Sequence, residues 1–364
     1  MTRKQNPMPR SGAKRKANAT SPDLRILFTC VGRRIELLEA FRRAARKLRI
    51  KLEIHGADIN RSAPAIHQAD VAHLIPRIGQ RNHIAALIAL VEKHKIDAII
   101  PLIDSDLLAL SQAASRFARI GCKVVISKQS AIKTCADKLL TYEALRDANI
   151  ETPETWSPKQ ILARKRHRFP YFLKPRSGSA GQGLFKINNA DELRVFIKRQ
   201  PDCVVQEYVA GVEHTMDVYT GFDGIPRCVV PRRRLEVRTG EVSKGLIVKD
   251  PKIIDVGRSV AEAIKGFRGV VTVQCMVTRA GRISVIEINP RFGGGAPLSI
   301  HAGADFPRWM MADLLGKPVK INPDQYTDNI AMLRYDESLF VEGNMKSLLA
   351  EVSPKNTDST EHKT

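Results

Sequence analysis

The chain has 364 residues, of which 43% are apolar, 27% charged and 5% aromatic. That length predicts two or three lobes with sizeable cores, and the composition excludes collagen-like, wholly disordered and disulfide-scaffold proteins. With 59 Lys and Arg against 38 Asp and Glu the formal net charge is +21, which favours an anionic partner, whether polynucleotide, membrane surface or phosphorylated small molecule.

Residues 1–22 are polar and carry Arg3, Lys4, Arg10, Lys14, Arg15 and Lys16 with no acid. They predict a disordered basic arm, solvated in the plain reading and tethering nucleic acid or membrane in the sharper one. From Leu24, short apolar runs alternate with amphipathic stretches: 25–28, then 36–48; 52–57; 71–75, then 84–92; 97–103, then 106–117; 123–126. This pattern predicts an N-terminal α/β lobe over 23–128, a doubly wound parallel sheet with helices on both faces. Its first turn, Thr29 to Arg34, has one glycine where a dinucleotide fingerprint needs three, and no GxxxxGK[ST] pattern occurs anywhere, which disfavours ordinary NAD-binding and P-loop folds. After a helical stretch at 136–148 and the break at Pro153, Gly- and Pro-punctuated β segments predict an α+β second lobe. The six cysteines (Cys30, Cys122, Cys135, Cys203, Cys228, Cys275) form no CxxC pair and no Cys/His cluster at zinc-finger spacing, so a reducing compartment and mostly buried free thiols are expected. No apolar run approaches the roughly 18 residues of a membrane span. Residues 346–364 form a polar tail.

Three segments can carry chemistry. In Tyr171 to Gly183 a strand delivers Lys174 into a loop containing Ser177, Gly178, Gly181 and Gly183, which either cradles a polyphosphate with backbone N–H groups or is a plain surface loop. Residues 271–277 and 283–290 read as a hairpin. A two-residue turn at Ala280-Gly281 would oppose Gln274 to Glu287 and Thr272 to Asn289. Alternation then places Gln274, Glu287 and Asn289 on one face and Val273, Cys275, Ile286 and Ile288 on the other. These are hard oxygen donors of low total charge, suited to Mg²⁺ shared with nucleotide phosphates; the bland alternative is a solvent-facing strand. In the basic strand near 230–238, Arg232, Arg234 and Arg238 would point one way, around an anion or simply into solvent.

In this order the residues resemble the ATP-grasp superfamily, and within it the synthetase lobes of the carbamoyl-phosphate synthetase large chain and related carboxylate–amine ligases, over roughly Leu24 to Gly316. The resemblance implies an N-terminal doubly wound parallel-sheet lobe followed by a two-subdomain ATP-grasp fold over 129–345, with ATP between two α+β subdomains. It also implies that Lys138 and Lys174 touch ATP phosphates beside the loop of Ser177, Gly178, Gly181 and Gly183. The adenine hinge would run through Gln206, Glu207, Tyr208 and Val209, and Glu213 would hold the ribose. Gln274, Glu287 and Asn289 would ligate Mg²⁺, with Mn²⁺ as an alternative; many relatives carry glutamate where Gln274 stands, and the carbamoyl-phosphate synthetase branch also shows Gln. Arg291 matches the arginine that contacts the transferring phosphoryl group, which makes Arg291 and Lys174 the catalytic candidates.

The activity so implied is an ADP-forming carbon–nitrogen ligase that makes an amide through an acyl-phosphate, acting on a small carboxylate and an amine in the cytoplasm, without a specific nucleic acid or membrane partner; a homodimer is among the assemblies the resemblance allows. The runner-up is phosphorylation of bicarbonate or carbamate, as in carbamoyl-phosphate synthetase; a basic nucleic-acid-binding protein is the alternative from another class. Substrate-reading residues are expected near Asp104, Asp106, Lys244 and His301.

Overall fold

The apolar run of Ile26, Leu27 and Phe28, with Leu24 before it, builds the central strand of a sheet covered on both faces. The structure, a computed structural model, describes residues 21–178, 183–238, 240–317 and 319–350; most of the basic arm, Gly181 and the tail from residue 351 lie outside the described residues. The first lobe runs β1 (Leu24–Thr29), α1 (Ile35–Leu48), β2 (Leu52–Asp58), a 3₁₀ turn at Pro64–Gln68, β3 (Val71–Leu74), α2 (His83–His94), β4 (Ala98–Pro101), α3 (Asp104–Arg119) and β5 (Lys123–Val124). All its strand pairs are parallel, in the order β3-β2-β1-β4-β5. Ile26, Phe28 and Ile54 face α1 with Leu38 and Phe41, whereas Leu27, Ala57 and Ile99 face α2 and α3 with Leu87, Val91, Leu107 and Leu110. This is the doubly wound sheet expected from the alternation.

The helix expected around 136–148 is α5 (Lys138–Asp147); a separate helix, α4 (Gln129–Ala136), precedes it, and the two are divided because Asp137 adopts extended dihedrals and caps α5 by accepting from the N–H groups of Leu139 and Leu140 at 2.9 and 3.3 Å. Then come β6 (Thr155–Trp156), α6 (Pro158–Leu162), β7 (Tyr171–Pro175), β8 (Phe185–Ile187), α7 (Ala190–Arg199) and β9 (Cys203–Glu207). The four strands form one antiparallel sheet, ordered β6-β9-β7-β8. Its inner face, Tyr171, Leu173, Cys203 and Val205, packs on Leu193 and Ile197 of α7, which turns Phe172, Lys174 and Gln206 to the opposite face.

The third unit contains β10 (Val212–Thr220), β11 (Pro226–Arg238), β12 (Glu241–Ile247), α8 (Pro251–Ala263), β13 (Gly269–Val277), β14 (Ile283–Asn289), α9 (Ala296–His301), α10 (Phe306–Leu314), β15 (Ala331–Leu333) and α11 (Met345–Leu349). Its six antiparallel strands run β14-β13-β10-β11-β12-β15. One face packs Met216, Val218, Val229, Val271 and Val273 on α8. The other meets the first lobe through α9 and α10, where Phe292 stands edge-on to Phe41 at 6.0 Å and Lys47 bonds Asp305 at 2.7 Å.

The β13–β14 hairpin pairs Gln274 with Glu287 and Thr272 with Asn289, as expected, but by a different route. The connection is a three-residue loop in which Gly281 has φ +80 and donates to the carbonyl of Thr278 at 3.0 Å, a turn that closes into the Thr278–Arg282 pair. This shifts the strand ends by one residue relative to a two-residue turn, and a bulge between Gln274 and Cys275 shifts the register back. The extra residue is Ile286, so Val285 rather than Ile286 joins Val273, Cys275 and Ile288 in the core.

Candidate active site

Lys174 leaves the small sheet on the face opposite its core and reaches the large one: its Nζ donates to the Ile286 carbonyl at 3.1 Å, and its side chain is only 5% exposed. Burial pushes its ammonium down to about 8, with neighbouring Glu287 supporting the charge and Lys138 opposing it. Lys138 begins α5 and its Nζ donates to the Gly178 carbonyl at 2.9 Å. Burial lowers its pKa too, against the pull of Glu287, Asp104 and Asp137. Asp137 ties the two lysine-bearing elements together, since Arg176 at the end of β7 donates to it at 2.8 Å and the Lys138 N–H bonds the Arg176 carbonyl at 3.0 Å. Beside Lys138, between α5 and β14, lies a narrow cavity lined in part by Lys138, Gln206 and Glu287.

Cross-strand pairs share a face, so Glu287 and Asn289 on β14, Thr272 and Gln274 on β13, and Glu213, Thr215 and Asp217 on β10 all belong to one face of the large sheet. Asn289 Nδ2 lies 3.3 Å from Glu287 Oε1. The donor set of one carboxylate and two amides, beside two desolvated ammonium groups, fits a divalent cation whose remaining ligands are phosphate oxygens and water. Arg291 follows at once, its Nε donating to Asp104 Oδ2 at 3.0 Å and its Nη1 to the Phe292 carbonyl at 3.1 Å. The other oxygen of Asp104, Oδ1, is buried without a hydrogen-bond partner among the described residues.

The remaining sequence candidates divide. Gly178 and Gly183 have positive φ, +104 and +68, and Ser177 is exposed; Gly181 lies outside the described residues. Gln206 Nε2 bonds Thr155 Oγ1 at 2.7 Å. Glu207 accepts from Arg282 at 2.8 Å, Tyr208 lies under Lys186, and Val209 is buried. Glu213 is paired with Arg234. Asp106 is fully buried between Thr29 and His83, Lys244 pairs with Glu236, and His301 is exposed.

The expectation of a row of arginines around an anion does not hold. Arg232, 2% exposed, grips Asp217 through two bonds of 2.7 and 2.9 Å, and Ser299 donates to the same carboxylate. Arg234 has Glu213 and Arg238 has Glu236, and register shifts on either side of Glu236 break the alternation. Arg232 and Arg234 take their carboxylates from β10, which the periodicity of β11 cannot see, whereas Arg238 pairs within its own strand.

A second cationic group, which no local motif announces, lies next to Arg291. Arg33 and Arg34, from the turn after β1, both pair with Glu241, each at 2.9 Å. Arg334 reaches the Gly294 carbonyl at 2.6 Å and Glu36 at 2.8 Å. Burial pulls Arg34 below its ordinary value; Glu241 opposes this, while Arg291, Arg334 and Arg33 add to it. Gly294 lets the chain pass close to this group: a Cβ there would stand 2.8 Å from Arg34 Nη1, so the Arg34 side chain would have to shift.

Residues 135–295 match the ATP-grasp domain family, and residues 26–125 match the PylC-like N-terminal domain family. Over 229 residues the chain is 27% identical to the vancomycin/teicoplanin A-type resistance protein VanA of Enterococcus faecium, covering 56% of this chain and 63% of that one. It is 30% identical over 175 residues to the tyramine–L-glutamate ligase of Methanocaldococcus jannaschii, covering 47% and 46%. The chain thus spans less than two thirds of the curated relatives it matches. The biotin carboxylase domain dimer of Hydrogenobacter thermophilus 2-oxoglutarate carboxylase, solved with MgADP, ADP and bicarbonate, superposes with a TM-score of 0.67 at 18% identity, over 86% of this chain and 74% of that one, which shows a shared fold.

Proposed function

Residues 135–295 form an ATP-grasp domain behind a PylC-like N-terminal domain, and from that premise we propose that the chain is an ATP-dependent carboxylate–amine ligase making a C–N bond through an acyl-phosphate. The observation that carries this reading is Lys174. A buried ammonium spans the two sheets beside Lys138 and Glu287, with one backbone carbonyl as its hydrogen-bond partner, and such a charge is stabilised when an anionic phosphate enters.

In this reading Lys138, Lys174 and the backbone around Gly178 hold the ATP phosphates. The segment from Gln206 to Val209 lines adenine, and Glu213 takes the ribose by sharing with Arg234. Glu287, Asn289 and Gln274 hold Mg²⁺, or Mn²⁺, which when bound neutralises charge on the phosphates. A substrate carboxylate oxygen attacks the γ-phosphorus and ADP departs, leaving an acyl-phosphate. The amine nitrogen then attacks the carbonyl carbon, the C–O bond to phosphate breaks, and the amine proton leaves with phosphate. Arg291 stabilises the transferring phosphoryl group, held in place by Asp104. Arg34 and Arg334, coupled to Arg291, favour an acid that carries a second anionic group. The unfilled Asp104 Oδ1 suits an N–H donor on the incoming amine. The free cysteines, five of six buried, support a reducing cytoplasmic setting, and among the described residues no helix is long and apolar enough to cross a membrane.

The test is ADP release with Mg-ATP against a panel of amino acids and dicarboxylates, with products read by mass spectrometry. One acid–amine pair is expected to give a product of their summed mass less water. Glu287→Ala is expected to abolish turnover with an unchanged circular dichroism spectrum. An active Glu287→Ala enzyme rejects the site, and turnover with bicarbonate alone replaces the ligase reading with the carbamoyl-phosphate-synthetase-like one.

A further inference from the structure

On the face of the first lobe's sheet that α2 and α3 cover, three imidazoles from three elements come together: His55 in β2, His73 in β3 and His94 at the end of α2. One ring nitrogen of each lies within 4.8 Å of the others. His55 Nδ1 and His73 Nε2 are 2.8 Å apart, and the two rings are parallel within 3° and meet edge to edge, with centroids 5.1 Å apart. His94 stands across both at 63° and 64° and forms no hydrogen bond among the described residues.

The hydrogen bonding fixes which atoms are free. Glu53 Oε1 lies 2.8 Å from His55 Nε2, and a carboxylate oxygen accepts, so Nε2 carries the proton and His55 Nδ1 presents a lone pair inward. A single proton on His73 Nε2 then bridges the pair. Shifting that proton to His73 Nδ1, so that the ring stays neutral, and inserting a cation costs one hydrogen bond and supplies two nitrogen ligands. The carboxylate behind His55 is the outer-sphere arrangement that orients metal-bound imidazoles. A tetrahedral ion with bonds of about 2.0–2.1 Å separates its ligands by roughly 3.3 Å, so the His55–His73 gap need open by only about 0.5 Å while His94 closes in. Glu53 and the half-exposed position of His94 offset the positive charges of Arg25 and Lys93 nearby.

We propose that His55, His73 and His94 form a binding site for a divalent transition-metal ion of the zinc type, with Glu53 orienting His55 and one coordination position left to water. Three imidazoles without an acidic or carbonyl ligand select such an ion over Mg²⁺ or Ca²⁺. The site ties β2, β3 and α2 together and is separate from the Glu287 cluster.

The experiment titrates the full chain, free of any polyhistidine tag and stripped with EDTA, with ZnCl₂ by calorimetry, and with CoCl₂ while following visible absorption. One equivalent of Zn²⁺ is expected to bind. His73→Ala and His94→Ala each are expected to weaken it by about 100-fold or more and to change the Co²⁺ spectrum, and Glu53→Gln by roughly 10-fold; Glu287→Ala is expected to retain it. If His73→Ala fails to fold, His94→Ala at the helix end carries the comparison alone. No stoichiometric Zn²⁺ binding by the parent chain, unchanged affinity in His94→Ala, or loss of the ion in Glu287→Ala overturns the proposal.

Discussion

Replacing Lys174 with methionine keeps the length of the side chain and removes its charge. The ammonium is 5% exposed and burial pushes it from 10.5 to about 8, the nearby Glu287 only partly compensating. At about 1.4 kcal/mol per pKa unit, holding it charged at pH 7 costs the nucleotide-free fold about 3 kcal/mol. The variant also leaves the Ile286 carbonyl without its 3.1 Å donor, a loss of about 1 kcal/mol. Lys174→Met should therefore be more stable than the parent by about 2 kcal/mol in EDTA without nucleotide, visible as a midpoint a few degrees higher in a thermal melt. The dependence on pH has a definite sign. The folded-state pKa lies below the unfolded one, so the parent bears the full penalty below about pH 8, sheds it between 8 and 10.5, and bears none above. The advantage of the variant should shrink over that interval. Mg-ATP should reverse the ranking, because the variant loses a charged phosphate partner worth about 2–5 kcal/mol, roughly 30-fold or more in affinity. A Lys174→Met protein that is less stable than the parent at pH 7 in EDTA, or that binds Mg-ATP equally well, refutes the assignment.

Gly295→Ala should destabilise by about 3 kcal/mol or more in denaturant titration, because its Cβ would stand 2.1 Å from Arg232 Nη1 and disrupt the buried pair with Asp217. Asp137→Ala should cost about 1–2 kcal/mol through loss of the α5 cap and the Arg176 bond. Burial raises the Asp137 pKa, but the bonds from Arg176, Leu140 and Leu139 outweigh it and hold the group below 3.8, so this contribution is present above that pH and the parent–variant difference should close as pH falls through the folded value. Arg34→Met should raise KM for the carboxylate substrate about 10-fold or more with little change in KM for ATP; the opposite pattern in steady-state kinetics would move Arg34 out of the acid site.

What the chain encodes locally was legible. The short apolar runs at 25–28 and 52–57, set between amphipathic segments, determined a parallel sheet covered on both faces, because burial on two sides demands apolar residues facing both ways. Lys174 at a strand end, and Glu287 and Asn289 two residues apart on one strand face, follow from the twofold period of extended backbone. The Gln274–Glu287 pairing was foreseen although the turn was not: the three-residue loop at Gly281 and the bulge at Ile286 are opposite one-residue steps that cancel. Only the tertiary structure decided who neutralises whom. Arg232 finds Asp217 and Ser299, Arg291 finds Asp104, Arg34 finds Glu241, and His55, His73 and His94 converge from three elements. Periodicity reports which way a side chain points from its own backbone, while the partner it meets depends on how separate sheets and lobes dock. That docking is settled by packing such as Phe41 on Phe292, between residues that no short-range pattern connects.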